Sequence, residues 1–156
     1  MPNGAPRIKG FDYRGVHCYS LTICVWGRRR LLTSPDLVNQ IVDQIVQCGR
    51  ERRFALIAYC AMPDHLHLLV LATRDTSDLR EFVRAWKQTT GWTFRRRHGH
   101  RLWQTGYFDH VLRNDESIQK HALYIVSNPV RAGLTMSVGD YPFARILEEN
   151  AREPEA

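Results

Sequence analysis

Hydrophobic and polar positions alternate along this chain with two periods, one typical of strands and one typical of helices. Stretches rich in β-branched and aromatic residues predict four strands, over 16–25, 54–62, 65–72 and 102–113. Apolar residues at helical spacing predict three helices, over 35–49, 77–97 and 117–127. Each helix follows residues that favour a helix start, namely Ser34-Pro35, Ser77 and Asn114-Asp115-Glu116.

The order of these elements is strand, helix, strand, strand, helix, strand, helix. The first six form a βαββαβ pattern, which predicts an α+β fold with a ferredoxin-like antiparallel sheet and helices on one face. The last helix is extra to that pattern, and the strand over 65–72 lies inside the sheet. We expect one domain over 1–156, with a core at about 16–144 and loose termini. Because this fold supports many unrelated functions, the function has to be argued from a site.

Two histidines interrupt the apolar strand over 65–72. Side chains alternate faces along a strand, so His65 and His67 point the same way, about 6–7 Å apart along the chain. Leu66, Leu68 and Val70 take the opposite face and supply the burial that fixes the pair. Two parallel imidazoles on a stiff element make half of a metal site. The alternative is a pair of partly buried strand histidines with backbone partners.

The third helix carries a tyrosine off its apolar stripe. At 100° per residue, one stripe collects the apolar residues Ile118, Ala122, Ile125 and Val126. Tyr124 falls away from that stripe, on the polar side with Lys120, His121 and Asn128. A tyrosine kept only for packing is expected on the stripe, and Tyr124 and Asn128, four residues apart, are expected on one face.

These residues predict a catalytic site if the helix lies beside the histidines. His65, His67 and Asn128 would give a divalent ion three neutral ligands, which suits Mg²⁺ or Mn²⁺ better than a closed zinc site. The phenol of Tyr124 would then attack a phosphorus atom that the ion polarises. Lys120, one turn earlier, or the ion itself would stabilise the phenolate. The alternative is a solvent-exposed helix tyrosine without a chemical role.

The net positive charge of the chain suggests a class of binding partner. The chain has 22 Lys and Arg against 16 Asp and Glu, a formal net charge of +6, and most of the cations are arginines in the clusters 28–30, 50–53 and 95–97. Arginine binds phosphate in a fork and stacks on bases, so nucleic acid is the first candidate partner. The alternative is a solvated basic surface that aids solubility.

Cysteine spacing and hydropathy bear on location. The four cysteines form no C-x-x-C pair, and no signal peptide or membrane-length apolar run is seen. We therefore expect reduced, mostly buried cysteines in a soluble cytoplasmic protein.

Several motifs resemble those of one known family. Residues 62–70, M-P-D-H-L-H-L-L-V, resemble the HUH motif (His, hydrophobic, His) of single-tyrosine, insertion-sequence-200-like transposases. The pair W-Q-T-G-Y-F-D-H-V-L-R-N at 103–114 and Y-I-V-S-N-P-V-R-A-G-L at 124–134 resembles REP-associated tyrosine transposases. D-Y-P-F-A at 140–144 resembles their closing segment, with Phe143 where tryptophan is usual. The likeness covers about 16–144.

The resemblance implies a metal-dependent endonuclease and strand transferase that acts on single-stranded DNA. It implies that Tyr124 is the nucleophile, linked to the 5′ phosphate after cleavage, that His65 and His67 are metal ligands, and that Asn128 holds the third ligand position. The implied substrate is a hairpin-forming DNA repeat, cut beside its stem. Whether the protein is a monomer or a homodimer stays open, although the short link after Arg113 favours a tyrosine used within its own chain.

With DNA as the substrate, the basic clusters become candidate DNA contacts. We expect this set, with Trp92 nearby, to hold phosphates and stack unpaired bases. Its members are Arg84, Lys87, Arg95, Arg96, Arg97, Arg101 and Trp103. His110 either assists proton transfer or bonds within the core.

Two other functions remain open at this stage. One is a catalytically silent domain that binds single-stranded nucleic acid, with a vestigial metal site. The other is a metal-dependent phosphodiesterase that uses water and does not need Tyr124.

Overall fold

The computed structural model describes residues 10–147 and residue 150, so the expected loose termini lie mostly outside the described residues. The strands are β1 Cys18–Cys24, β2 Phe54–Met62, β3 His65–Ala72, β4 Phe108–Val111 and β5 Ala144–Ile146. The helices are α1 Pro35–Arg52, α2 Leu79–His98, α3 Ile118–Val126 and the single turn α4 Asn128–Arg131. Short 3₁₀ turns lie at Trp26–Arg28 and Val138–Asp140.

The strands form one antiparallel sheet in the order β4-β1-β3-β2-β5. The first four positions have the order of a ferredoxin-like sheet, so the predicted α+β fold is confirmed. As predicted, β3 is an interior strand, paired with β1 on one side and β2 on the other. The three-residue β5 pairs with the outer edge of β2 and was not predicted, because so short a segment shows no alternation.

The two faces of the sheet carry different layers. Helices α1 and α2 pack against each other and cover the face that contains Leu66, Leu68 and Val70, each at most 1% exposed. Helix α3 packs on β2, β3 and β5 from the opposite face, where Ala122 and Ile125 contact a second apolar cluster. The prediction of helices on one face therefore holds for α1 and α2, while the extra helix α3 lies on the face of His65 and His67.

The predicted fourth strand begins too early. Residues 101–107 form a loop in which Trp103 makes only an isolated bridge to Val25, and β4 starts at Phe108. Gly106 has φ of 79°, a left-handed conformation that interrupts an extended strand. The apolar residues of this segment are buried although they are not in a strand. The segment therefore has the composition of a strand, but its backbone forms a turn.

Helix starts also differ in detail from those expected. The side chain of Asp78, and not that of Ser77, accepts a hydrogen bond from the first turn of α2, so that helix starts at Leu79. Ser117 caps α3 through the amide of Lys120, whereas Ser34 makes no side-chain cap at α1.

All four cysteines are free and buried, as expected. Within the described residues, no helix combines the length and the apolar character that a membrane crossing requires.

Candidate active site

The imidazoles of His65 and His67 converge on one point. Both residues lie on the α3 face of β3, and their Nε2 atoms are 3.1 Å apart with the ring planes at 90°. Both side chains are partly buried. We refer to these two residues as the HUH pair.

The other ring nitrogens of the HUH pair are held in place. His65 Nδ1 donates to Asp64 Oδ1 at 2.6 Å, and His67 Nδ1 lies 3.1 Å from Thr22 Oγ1 on the neighbouring strand. Arg28 binds Asp64 Oδ2 in turn, at 3.1 Å from its Nε. Burial disfavours ionised Asp64, but the hydrogen bonds from His65 and Arg28 outweigh it and lower the pKa of Asp64. Fixing the outer nitrogen in this way orients a metal-binding histidine and sets its tautomer.

The geometry of the HUH pair fits a divalent ion. Two neighbouring ligands on an octahedral ion, with bonds of about 2.1 Å, are about 3 Å apart. This is the spacing of the two Nε2 atoms. Burial, followed by the charges of His65 and Arg131, lowers the pKa of His67 to about 4, so His67 is neutral at physiological pH. Neutral imidazole is the form that binds metals.

We predict that Asp64→Ala weakens metal binding without removing it. The variant leaves His65 free to rotate, and loss of such an outer partner typically costs about 10–100-fold in metal affinity. The measurement is the metal concentration that gives half-maximal DNA cleavage. Asp75→Ala, at an exposed position beyond the other end of β3, is the matched control and is expected to behave as wild type. An unchanged metal requirement in Asp64→Ala would contradict the role of this carboxylate.

Helix α3 brings Tyr124 to the same face. Ala122, Ile125 and Val126 are at most 4% exposed, while Tyr124 is 63% exposed. The predicted separation of Tyr124 from the apolar stripe is therefore observed. Since α3 packs on the two strands that form the hairpin of the HUH pair, the phenol and the imidazoles share one face of the sheet.

Asn128 does not lie on the same helix as Tyr124. Pro129 lacks the amide hydrogen that would bond the carbonyl of Ile125, so α3 ends at Val126 and α4 starts at Asn128. The side-chain amide of Asn128 donates to that carbonyl instead, at 2.9 Å. Its Oδ1 then faces Arg131 and accepts a hydrogen bond of 2.8 Å. A ligand role for Asn128 therefore requires Arg131 to release this oxygen, and it stays a prediction.

Arg131 is the residue that sequence reasoning missed. Its Nη2 donates to the carbonyl of Tyr124 at 2.9 Å, and its guanidinium carbon lies 3.8 Å from the centroid of the Tyr124 ring. Its charge is also among the causes that lower the pKa of His67. The guanidinium is therefore close to both the phenol and the HUH pair. The available signal was its place seven residues after Tyr124, two helical turns on, which is the same side of a helix.

The two assisting residues named from the sequence lie apart from this arrangement. Lys120 is exposed one turn before Tyr124, whereas the cation over the phenol ring is Arg131. His110 is half-exposed on β4 and bonds Glu116, so it does not bond within the core. Glu116 lies just before α3, accepts from the amide of Arg113 and pairs with His110 and His121, while Ser117 supplies the side-chain cap.

The predicted DNA contacts surround a cavity of about 670 Å³ between α2 and the loop 101–107. Five of the seven line it, namely Arg84, Lys87, Arg95, Arg101 and Trp103, while Arg96 and Arg97 lie outside its lining. The loop that forms its wall bonds the end of β1, since the amide of Gln104 donates to Cys24, the partner of His65 in the sheet. The cavity therefore lies at the end of the sheet that carries the HUH pair.

Two members of that set have structural partners that change their expected role. The ring of Trp103 is 5% exposed and its Nε1 donates to Thr90, so burial leaves it no free face on which to stack a base. Lys87 Nζ donates to the carbonyls of Gln104 and Gly106, which fixes the loop 101–107. The exposed aromatic ring of the region is Trp92, 61% exposed with the Arg96 guanidinium over it at 4.8 Å.

Comparison with known proteins decides the family. A sequence model of the family described as Transposase IS200 like matches residues 16–128. The chain belongs to the IS200-like transposase family. The chain is thus a DNA-cleaving and rejoining enzyme, and the prediction of that enzyme class is confirmed. Transposases of this family depend on a metal ion in general.

Curated relatives and solved structures agree with this assignment. The IS200-like transposase is 26% identical over 129 residues to a REP-associated tyrosine transposase of Escherichia coli K12, covering 80% of this chain and 73% of that protein. It is 26% identical over 144 residues to a putative REP-associated tyrosine transposase of Haemophilus influenzae, covering 85% and 81%. The expected resemblance to REP-associated enzymes is confirmed by these relatives.

The fold is shared with two solved transposases. One, a REP-associated tyrosine transposase bound to a REP hairpin, has a TM-score of 0.72 at 24% identity, covering 90% of this chain and 82% of the other. The second, a putative transposase of Deinococcus radiodurans, has a TM-score of 0.52 at 22% identity, covering 80% and 97%.

Proposed function

We propose that this transposase cuts a hairpin-forming DNA repeat of the REP type beside its stem and rejoins it through a 5′-phosphotyrosine at Tyr124. The observation that carries the proposal is the position of Arg131, which contacts the ring of Tyr124 and acts electrostatically on His67. The packing of α3 on the two strands of the HUH hairpin supports the joint action of these groups within a single chain. We further propose that residues 16–144 act as one catalytic domain, in the cytoplasm, where the DNA substrate is.

The chemistry of the cleavage step follows from these residues. The phenolic oxygen of Tyr124 forms a bond to phosphorus, the bond from phosphorus to the 3′ oxygen breaks, and a free 3′ hydroxyl leaves. An ion on the HUH pair, which we propose to be Mg²⁺ or Mn²⁺, supplies Lewis-acid stabilisation of the charge on the phosphoryl oxygens. Arg131 is placed to donate hydrogen bonds to the same charge. Rejoining is the reverse attack by a 3′ hydroxyl on the phosphotyrosine.

The basic cavity supports a path for unpaired DNA. Arg84 and Arg95 line the cavity from α2 and Arg101 lines it from the loop, and the exposed Trp92 offers a ring on which a base can stack. The cavity lies on the α2 side of the sheet, and its loop wall bonds the end of β1 that pairs with His65, so a strand held there would cross this end of the sheet to reach the metal pair. Contacts of this kind act mainly on phosphates, so binding is expected to weaken steeply with added salt.

The experiment that tests the proposal uses labelled hairpin DNA with a single-stranded segment at the base of its stem, Mg²⁺ or Mn²⁺, and denaturing electrophoresis. We expect a covalent protein–DNA band together with a product that ends in a 3′ hydroxyl. Cleavage without the band would indicate hydrolysis by water, and binding without cleavage would indicate a silent binding domain. A duplex of the same sequence, which has no hairpin, is the control and is expected to stay intact.

We predict that Arg131→Ala slows cleavage about 100-fold, the usual effect of removing one donor from a developing negative charge. Arg131→Lys keeps the positive charge but not the paired N–H donors of the guanidinium, so its cleavage rate is expected to lie between those of Arg131→Ala and wild type. The measurement is the single-turnover rate at saturating DNA, with the dissociation constant for DNA changing by less than about threefold. Arg50→Ala, exposed on α1 at the other face, is the control for net charge. If Arg131→Ala and Arg50→Ala lost the same activity through weaker DNA binding, Arg131 would have no role in the chemical step.

A further inference from the structure

Three side chains meet where the edge strand β4 faces the tyrosine helix α3. Nε2 of His110 lies 3.0 Å from Glu116 Oε2, and Nε2 of His121 lies 2.9 Å from the same oxygen. The three candidate ligand atoms lie within 4.8 Å of one another. None of these residues belongs to the HUH pair, and the cleavage step described above uses none of them.

The cluster is held by the fold and is not a chance meeting of mobile side chains. His110 is fixed by its pairing with Ser20 in the sheet, and His121 by the first turn of α3. Glu116 is anchored between them, because its carboxylate accepts the amide of Arg113 at 2.9 Å. The two imidazole rings lie nearly parallel, with centroids 5.9 Å apart and planes at 21°.

Two imidazoles and a carboxylate form a familiar set of zinc ligands. On a tetrahedral ion with bonds of about 2.0–2.1 Å, neighbouring ligands are about 3.3–3.4 Å apart, so Glu116 would need to move only a few tenths of an ångström from its contacts of 3.0 and 2.9 Å with the two histidines. We propose that His110, Glu116 and His121 form a second metal site, selective for Zn²⁺ over Mg²⁺, that fastens β4 to the helix carrying Tyr124.

This second site is separate from the HUH pair. Strand β1 lies between β4 and β3, which places the backbones of β4 and β3 about 10 Å apart. Nitrogen ligands distinguish the ions, because Mg²⁺ takes oxygen ligands and keeps several of its waters. An ion at the second site would restrain α3 directly, since His121 lies three residues before Tyr124 on the same side of the helix.

The test counts bound zinc in the absence of DNA. Metal-free full-length protein with His65→Ala and His67→Ala is dialysed against Zn²⁺ in excess Mg²⁺, and bound zinc is measured by elemental analysis and by titration calorimetry. We expect one Zn²⁺ per chain, and none after adding His110→Gln and His121→Gln. Replacing two other histidines near each other, with His98→Gln and His100→Gln, is the matched control and is expected to retain the ion.

A second variant separates metal binding from folding. Glu116→Gln keeps the size of the side chain and its ability to accept the Arg113 amide, and it is expected to weaken zinc binding at least about tenfold. Circular dichroism of every variant establishes that it is folded, and added Zn²⁺ is expected to raise the melting temperature only where the three ligands are intact. The proposal is overturned if the chain without the HUH pair binds no zinc, or if binding survives removal of both His110 and His121.

Discussion

Tyr124→Phe is expected to abolish the covalent protein–DNA product and to reduce cleavage by about 10³-fold or more, the scale on which loss of a nucleophile acts. The phenol is 63% exposed, so its hydroxyl can be removed at little cost in folding. Binding of hairpin DNA is expected to stay within about threefold of wild type, because the ring and its contact with Arg131 remain. Single-turnover cleavage on denaturing gels, beside a binding titration, measures both quantities.

The matched control for this variant is Tyr59→Phe. Tyr59 lies half-buried on β2, packed into the core beneath α1 and α2. The substitution therefore removes a hydroxyl on the face of the sheet opposite to Tyr124. It is expected to form the covalent product at the wild-type rate. Cleavage by Tyr124→Phe at more than about a tenth of the wild-type rate would show that another group attacks phosphorus.

His67→Ala is expected to remove metal-dependent cleavage almost completely. The substitution takes away one of the two Nε2 atoms that lie 3.1 Å apart, and a Lewis acid at a phosphoryl group contributes several kcal/mol, about 10³-fold in rate. Cleavage is measured across a titration of Mn²⁺, and no concentration is expected to restore it fully. His17→Gln, beyond the start of β1, is the control for loss of a partly buried histidine. If His67→Ala cleaved DNA at the wild-type rate, the HUH pair would have no role in the mechanism.

Mixing the two inactive variants distinguishes a tyrosine used within its own chain from one used in a partner subunit. If Tyr124 of one chain served the HUH pair of another, a mixture of Tyr124→Phe and His67→Ala would rebuild one intact site and cleave DNA. Because α3 packs on the strands of the HUH hairpin within one chain, we expect the mixture to stay inactive.

The hairpin that carries the HUH pair was predictable because its signals are local. Alternation along 65–72 places Leu66 and Leu68 in the core and the histidines on the other face, and Pro63-Asp64 marks the turn. Tyr124 was predictable for a similar reason, since helical periodicity alone separates it from Ala122 and Ile125. These predictions depend on neighbours within a few positions of each other, which a sequence displays directly.

The remaining features depend on contacts between distant or irregular segments. The orientation of Asn128 follows from the missing amide of Pro129, and its Oδ1 in turn accepts a hydrogen bond from Arg131. The burial of Trp103 depends on Thr90 and on the anchoring of its loop by Lys87. Periodicity does not show such contacts, so it could not reveal that Lys87 fixes a loop or that Trp103 is buried.

The most direct test of the central claim is to locate the DNA adduct on the protein. After reaction with hairpin DNA, digestion by trypsin and nuclease leaves residues 121–131, H-A-L-Y-I-V-S-N-P-V-R, as a peptide whose one tyrosine is Tyr124. Mass spectrometry is expected to find this peptide carrying a nucleotide joined through its 5′ phosphate. An adduct on a different peptide, or cleaved DNA with a free 5′ phosphate and no adduct, would contradict the account.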